Sequence, residues 1–290
     1  MSIDRHSDSP IDTHTKLVGL LGQPLGHSLS PAMHNRAFRA LGLNYCYLPI
    51  EVAAHDLATV AAGIARMNFA GYNVTIPHKV RIMDCLDAID PLALAIGAVN
   101  TVTIENRRAT GYNTDGVGFV QSLKAAGGLS AVGKSFLILG SGGAARAIAM
   151  TLAGAGAARI LIANRTDEKA RALARAVNRQ GRACCEALDL EPAPLAAALH
   201  DTDILVNTTS VGMHPDTGQA PIDTSLLHRR LLVCDIVYNP RRTHLLEAAR
   251  QKGCRIVQGH GMLVYQGAAG FQLWTGREPP AAEMFAALGP

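Results

Sequence analysis

Aromatic residues are scarce in this chain: one Trp, six Tyr and six Phe make up 4% of 290 residues. No platform for stacking nucleic-acid bases is visible in such a composition. An excess of one charge is missing too. The formal net charge is +4, from 27 Lys and Arg against 23 Asp and Glu, without a basic run. No nucleic-acid partner is therefore expected, whereas a small anionic ligand is allowed. No apolar stretch reaches the roughly 20 residues that a bilayer crossing requires, so no membrane partner is expected. The six cysteines (Cys46, Cys85, Cys184, Cys185, Cys234 and Cys254) form no CxxC pair and no zinc spacing. They read as free, buried thiols in a reducing cytoplasm. The 11 histidines form no metal constellation, and His27, His34, His214 and His260 read as structural or surface residues. The first 16 residues, MSIDRHSDSPIDTHTK, are polar and lack the apolar core of a signal peptide. They read as a loose arm.

What is present is 48% hydrophobic and 17% charged sequence, enough to bury sizeable cores, over a length that suggests two domains. Short apolar runs alternate with helical patterns through most of the chain, which predicts βαβ units on parallel sheets. The first portion predicts strands at 17–21, 45–50 and 71–75, and helices at 31–41, 54–67 and 77–86. Ser30 is expected as N-cap and Gly42 as the left-handed residue after the first helix. A hairpin is expected from 99–104 and 109–112 around 105–108. A connecting helix is expected from Asp115 to Ala126, ended by Gly127-Gly128, with Gly133 in the loop that follows. The second series predicts strands at 136–139, 159–163, 183–187, 203–206, 231–235 and 255–257, and helices return after His260. The expected domains are 1–114 for substrate (with 1–14 as the arm), 115–258 for a dinucleotide, and 259–290 crossing back onto the first.

The stretch FLILGSGGAARA carries the clearest motif. An apolar strand runs into Gly140-Ser141-Gly142-Gly143-Ala144-Ala145, and a helix follows. Gly140 permits the tight turn, Gly142 lets backbone approach a pyrophosphate, and Ala145 allows close helix–strand packing. The free N–H groups at the helix start, from Gly143 and Ala144 on, form an anion site. The next strand ends in Ala163-Asn164-Arg165-Thr166, with Lys169 one turn later. Asn164 stands where an NAD site usually has an acid, while Arg165 and Lys169 suit a ribose 2′-phosphate. The reading is NADP, with NAD use kept open by Asp167, which can either reach a 2′-OH or favour the helix start.

Lys79 in NVTIPHK poses a different question. With Pro77 as the first helical residue, Lys79 falls in the first turn, where the macrodipole disfavours a cation by about 0.3–1 kcal/mol. A carboxylate partner would offset this, and Asp115 in GYNTDG is the candidate. The pair would hold a proton ready for a developing alkoxide. Asp115 as a second helix N-cap is the alternative. Ser28 and Ser30 in GHSLSP either hold a carboxylate together with helix N–H groups or merely cap the helix. Asn73, Thr75 and Asn100 stand at strand ends, where open α/β sheets bind ligands.

Taken together, GQPLGHSLSPAMHN, NVTIPHK, GAVNT, GYNTDGVG, LGSGGAARA, ANRT, NTTSVGM, DIVYNP and GHGMLVYQG run in order from about residue 19 to 275. With these motifs the chain resembles the shikimate dehydrogenase family. The resemblance implies an α/β fold with a Rossmann-like NADP-binding domain and an N-terminal substrate domain completed by C-terminal helices. It implies a cytoplasmic oxidoreductase of aromatic amino-acid biosynthesis that reduces 3-dehydroshikimate to shikimate with NADPH, as a monomer or homodimer. It assigns Lys79 and Asp115 to catalysis, Ser28 and Ser30 to the substrate carboxylate, and Asn73, Thr75, Asn100, Tyr238 and Gln266 to the ring hydroxyls. Gly140, Gly142, Gly143, Ala144, Asn164, Arg165, Thr166, Lys169 and Thr209 go to the cofactor, with Gly261 and Met262 near the nicotinamide. His78 departs from the aromatic often found after Pro77 and implies a more polar pocket mouth. VYNPRRT and YQGAAGFQLWTG are similar to the branch that also oxidises quinate, whereas NRTDEK is similar to the NADP-specific branch.

Overall fold

The computed structural model describes residues 11–126, 128–181 and 183–289, which form two compact units. Residues 1–10 of the expected arm and Gly127 of the expected Gly-Gly stop lie outside the described residues. Residues 11–94, 99–112 and 267–289 belong to the first unit, and residues 95–98 and 113–266 to the second. Twelve strands and ten α-helices are formed among the described residues.

The first unit is built on a mixed six-stranded sheet. Its elements are β1 (Lys16–Gly22), α1 (Ser30–Ala40), β2 (Tyr45–Glu51), α2 (Leu57–Ile64), β3 (Phe69–Val74), β4 (Ala88–Ile89), β5 (Thr101–Glu105) and β6 (Arg108–Tyr112). A short 3₁₀ helix, Arg81–Cys85, precedes β4, and α3 (Pro91–Ile96) follows it. The strand order is β2-β1-β3-β5-β6-β4, with β1 parallel to β2 and β3, and β5 antiparallel to β3 and β6. The β5–β6 hairpin turns through Asn106 and Arg107, both at positive φ, which is the twist a two-residue hairpin loop needs. One core gathers Leu21, Leu57, Ile64, Tyr72, Val74, Ile82 and Val102. Elsewhere in the unit Phe38 of α1 stacks on Phe271, with ring centroids 5.2 Å apart.

Two expectations about helices fail in this unit. The helix expected over 77–86 does not form. The His78 N–H donates to the Thr75 carbonyl at 2.9 Å and closes a turn, and only 81–85 goes on into 3₁₀ geometry. The buried His78 ring is drawn to the Val52 carbonyl at 2.7 Å, a tertiary bond that overrides the local helical pattern. Lys79 therefore sits in a turn, and the unfavourable dipole inferred for it does not apply. Ser30 is not an N-cap either: Leu29 holds that position, and Ser30 is the first helical residue. The cap is displaced because the Ser28 hydroxyl accepts the Ser30 N–H at 3.3 Å, the local bond that serine offers at such turns. Gly42, at φ +61°, does end α1 as expected.

The second unit holds α4 (Asp115–Ala125), β7 (Ser135–Leu139), α5 (Gly143–Gly154), β8 (Arg159–Ala163), α6 (Asp167–Asn178), β9 (Cys184–Leu188), α7 (Pro192–His200), β10 (Ile204–Asn207), β11 (Leu232–Asp235), α8 (His244–Gln251) and β12 (Arg255–Val257). All six strands are parallel, in the order β12-β11-β10-β7-β8-β9. Alternate residues of each strand feed cores on opposite faces: Phe136 and Ile138 on one, Leu137 and Leu139 on the other. Double burial explains why these strands read as continuous apolar runs rather than alternating ones. The chain ends in α9 (Gly259–Thr275) and α10 (Ala281–Ala286).

Each sheet has a long edge strand, and in both cases an asparagine from a neighbouring helix occupies the open side. Asn35 of α1 accepts the Tyr47 N–H at 2.8 Å and donates to the Tyr47 carbonyl at 2.9 Å. Asn178 of α6 does the same for Cys185 of β9, at 2.9 and 2.7 Å. Pro49, two residues beyond Tyr47 and so facing the same side, has no N–H to leave open.

Candidate active site

In the second unit the strand order reverses between β7 and β10, and an open α/β sheet binds its ligand at such a switch. Both loops leaving that point carry expected site residues. After β7, Gly140 has φ +109° and donates its N–H to the Ala163 carbonyl at 2.8 Å. A Cβ there would lie 2.6 Å from Thr208 Oγ1, so glycine is required on both counts. Gly142 is the N-cap of α5, and no side chain caps the helix there. A Cβ on Gly142 would meet nothing within 4 Å. A helix start without a side-chain cap, with open space beside its N-cap glycine, suits a phosphate. The residues present thus fit a dinucleotide.

The end of β8 supplies the positive charge. Arg165, Thr166 and Lys169 are exposed, with Thr166 as N-cap of α6, and Asn164 Nδ2 donates to the Thr166 carbonyl at 2.9 Å. Asp167 is engaged by Arg171, Nε to Oδ2 at 2.6 Å. The acid that kept an NAD reading open is thereby directed along its own helix.

A buried polar network that the motif reading did not assign lies beyond β10 and β11. The Asn207 amide donates to Asp235 Oδ1 at 3.0 Å, and its own oxygen accepts the Thr209 N–H at 3.0 Å and hydroxyl at 2.7 Å. Asp235 also takes the Val237 N–H at 3.0 Å and the Thr243 hydroxyl at 2.7 Å. Burial pushes this carboxyl up to about 6, against three hydrogen bonds that favour its charged form. The network fixes the loops bearing Thr209 and Tyr238. Tyr238 meets His260 edge-on at 6.4 Å, and burial raises its hydroxyl pKa. The sequence signal available was the polar Asn207 and Asp235 at the ends of two apolar strands.

Asp115 is the first residue of α4, with Thr114 and not Asp115 at the N-cap, and is only 4% exposed. Its N–H donates to Asn113 Oδ1 at 3.1 Å, and Asn113 Nδ2 donates to the Ala98 carbonyl at 2.9 Å. The glycines that follow it set the depth of the helix. A Cβ on Gly116 would lie 2.6 Å from the Ala147 carbonyl, and one on Gly118 2.5 Å from the Gln266 nitrogen. Likewise a Cβ on Gly261 would lie 2.3 Å from Ser122 Oγ. These contacts bring Asp115, Gly261 and Gln266 onto one tightly packed pair of helices, with Met262 buried in the same core. Gln266 Nε2 donates to the Leu263 carbonyl at 2.9 Å.

In the first unit, Ser28 lies in the loop after β1 and Ser30 is buried at the start of α1. Asn73 is 5% exposed and committed to the interior: its oxygen takes the Tyr47 hydroxyl at 2.8 Å, and its amide donates to the Asn100 carbonyl and Thr101 Oγ1, both at 3.1 Å. Asn100 is buried and accepts the Thr101 hydroxyl at 3.0 Å. Thr75 and Lys79 are half-buried, and the Lys79 carbonyl accepts the Val99 N–H at 2.8 Å. His78 is fully buried, so it adds no polarity to a pocket mouth, contrary to the expectation above.

Among the described residues, no group of three His, Cys, Asp or Glu is placed to hold a metal ion, and no helix is long and apolar enough to cross a membrane. All six cysteines are free: three are buried, Cys46 and Cys85 are half-buried, and Cys184 is exposed.

The parallel sheet, its switch point and the glycine loop define a dinucleotide-binding oxidoreductase class with a Rossmann-like unit. Comparison with known proteins narrows this. Three family models match, described as the shikimate dehydrogenase substrate binding domain over residues 20–102, shikimate/quinate 5-dehydrogenase over 124–244, and the shikimate 5'-dehydrogenase C-terminal domain over 259–288. The chain belongs to the shikimate dehydrogenase family. It is 48% identical over 274 residues to the shikimate dehydrogenase (NADP(+)) of Moorella thermoacetica, covering 94% of this chain and 92% of that one. A shikimate dehydrogenase solved in complex with NADP+ superposes with a TM-score of 0.91 at 41% identity, over 97% of this chain and 96% of the other. The enzyme from Thermus thermophilus, solved with NADP(H) and shikimate, gives a TM-score of 0.85 at 37% identity, over 94% of this chain and 98% of the other.

Proposed function

We propose that this protein catalyses the reversible NADPH-dependent reduction of 3-dehydroshikimate to shikimate. The observation that carries the reading is the open space before the uncapped N-terminus of α5, with Arg165 and Lys169 exposed at the neighbouring strand end. Names carried by relatives, one of them 48% identical, support the substrate. When bound, NADPH supplies the hydride.

The residues of the chain divide the remaining work. Gly140, Gly142, Gly143 and Ala144 present backbone to the pyrophosphate. Asn164, Arg165, Thr166 and Lys169 hold the 2′-phosphate, where a guanidinium fork gives two charge-assisted bonds. Thr209, Gly261 and Met262 border the nicotinamide end. Ser28 and Ser30 bind the substrate carboxylate; the Ser28 oxygen already accepts one N–H and keeps its proton to donate. Thr75, Asn100, Tyr238 and Gln266 read the ring hydroxyls, and Asn73 supports them from beneath through Asn100 and Thr101. Lys79 delivers the proton to the developing alkoxide, and Asp115 orients it and a neighbouring hydroxyl. We place the enzyme in the cytoplasm, where its free cysteines stay reduced, as a monomer or homodimer.

The test is a four-way rate comparison of shikimate and quinate with NADP⁺ and NAD⁺. Shikimate with NADP⁺ is expected to give the highest kcat/KM, and a higher value for quinate or NAD⁺ would reject this assignment. Lys79→Ala should lower kcat far more than it raises KM, because the bond matters most in the transition state. Near-normal kcat in that variant would remove Lys79 from the mechanism.

A further inference from the structure

Two segments of the first unit carry its proposed chemistry: the loop 23–30 with its two serines, and the turn 75–79 that ends on Lys79. Neither is part of a strand. One backbone bond joins them, from the Gln23 N–H to the Ile76 carbonyl at 3.1 Å, and further bonds add to it. Both are tied to the same two residues, Glu51 and Val52, where the chain leaves β2. On one side, Glu51 Oε1 accepts the Leu25 N–H at 2.7 Å and the Val52 N–H donates to the Gly22 carbonyl at 3.1 Å. On the other, the Val52 carbonyl meets His78 Nε2 at 2.7 Å. A carbonyl oxygen only accepts, so His78 carries its proton on Nε2 and is the donor. The ring is wholly buried, and its Nδ1 has no partner among the described residues. This histidine thus makes one directed side-chain bond, and it stands next to Lys79. On the far side of that position, the Lys79 carbonyl accepts the Val99 N–H at 2.8 Å. The lysine backbone is thus held at its own carbonyl and, at the preceding residue, by the His78 ring, by the His78 N–H bonded to Thr75 and by the His78 carbonyl, which accepts the Ile82 N–H at 2.9 Å.

We propose that His78 is the positioning residue of Lys79, acting through the Val52 carbonyl, and that Glu51 is the separate positioning residue of the serine loop. The two ties leave one point on β2 but serve different steps. His78 sets where the proton donor stands, and Glu51 sets where the substrate carboxylate is held. The inference rests on the reading of Lys79 as proton donor and of Ser28 and Ser30 as carboxylate ligands. Positioning within about an ångström is worth up to roughly a hundredfold in rate.

The test uses the full chain and compares His78→Met, which removes the donor at similar length, His78→Gln, which keeps an N–H on a side chain of similar reach, Glu51→Ala and Glu51→Gln. His78→Met is expected to lower kcat by about ten- to a hundredfold with the KM for shikimate within about threefold, and His78→Gln to recover most of the loss. Glu51→Ala is expected to raise the KM for shikimate by about tenfold, the scale of one lost charge-assisted bond, with kcat and the KM for NADP⁺ little changed. Glu51→Gln, which keeps an acceptor oxygen, should sit between. Equal falls in kcat for both positions, or His78→Gln no better than His78→Met, would overturn the division of roles. Should His78→Met not fold, His78→Gln decides for that residue, since it should still lower kcat a few-fold with KM unchanged, and a raised KM with normal kcat rejects the role; Glu51→Ala decides separately for the serine loop. Failure of the underlying reading shows separately, as shikimate-dependent turnover that survives Lys79→Ala.

Discussion

Thr243 donates its hydroxyl to Asp235 Oδ2 at 2.7 Å, and the same threonine oxygen accepts the Leu246 N–H at 3.3 Å as the cap of α8. One side chain thus joins a helix start to a buried carboxyl whose pKa is raised to about 6 by burial. Because the folded state holds that proton more tightly than the unfolded chain, the stability Asp235 contributes is full below its ordinary value of 3.8 and is lost as pH rises through about 6. Asp235→Asn keeps Oδ1 for Asn207 and Val237 and does not titrate. The stability of wild type minus Asp235→Asn should fall by roughly 2 kcal/mol between pH 4 and 7, read from denaturant midpoints. A flat difference would refute the shift.

His34 should give the opposite slope. It is fully buried against Tyr47, with ring centroids 4.5 Å apart, and burial pushes its pKa down to about 3. The unfolded chain then binds the proton more readily, and stability is lost as pH falls from 6.5 towards 3. His34→Phe removes the titration, so its stability relative to wild type should rise as pH is lowered from 6.5 to 4, by roughly 3 kcal/mol. Thermal midpoints of both proteins over that range decide the matter.

Gly142 and Gly118 should part stability from binding. A Cβ on Gly142 meets nothing within 4 Å, and its φ of −74° is open to any L-residue. Gly142→Ala should leave stability within about 0.5 kcal/mol of wild type while raising the NADP⁺ KM by at least about tenfold, because the methyl stands where backbone meets pyrophosphate. Gly118→Ala instead puts a methyl 2.5 Å from the Gln266 nitrogen and should cost about 1–3 kcal/mol. Unfolding curves and cofactor titrations on both variants measure the contrast.

Cofactor choice should follow the charges at the end of β8. Arg165→Ala combined with Lys169→Ala is expected to lower kcat/KM for NADP⁺ by about ten- to a hundredfold, the scale of two charge-assisted bonds. The value for NAD⁺ should move by less than about threefold, since Asp167 is engaged by Arg171. Equal losses with both cofactors would mean that these cations serve something other than the 2′-phosphate.

The parallel sheet of the second unit could be read directly from the sequence because its strands are buried on both faces, so that Leu137, Leu161 and Val233 sit inside unbroken apolar runs. The glycine loop was legible because Gly140 and Gly142 follow from local geometry alone. The first unit was harder. Ala88–Ile89 is too short a strand to show a period, and α3, in PLALAI, carries no polar face to mark it as a helix. The Pro77 turn carries no local signal, because its cause lies at Val52, 26 residues away from His78. The Asn207–Asp235 bond spans 28 residues in the same manner. Pairings of that kind leave no spacing for a motif to record, and they are what holds the candidate site in shape.

The asparagines at Tyr47 and Cys185 bear on how the protein survives its own concentration. Each fills, from inside the molecule, the slot where a strand of another copy would dock, so neither sheet can be lengthened at that point by a neighbour. The opposite edges, Ala88–Ile89 and Arg255–Val257, are only two and three residues long, so a ribbon of copies would have to start on a very short template.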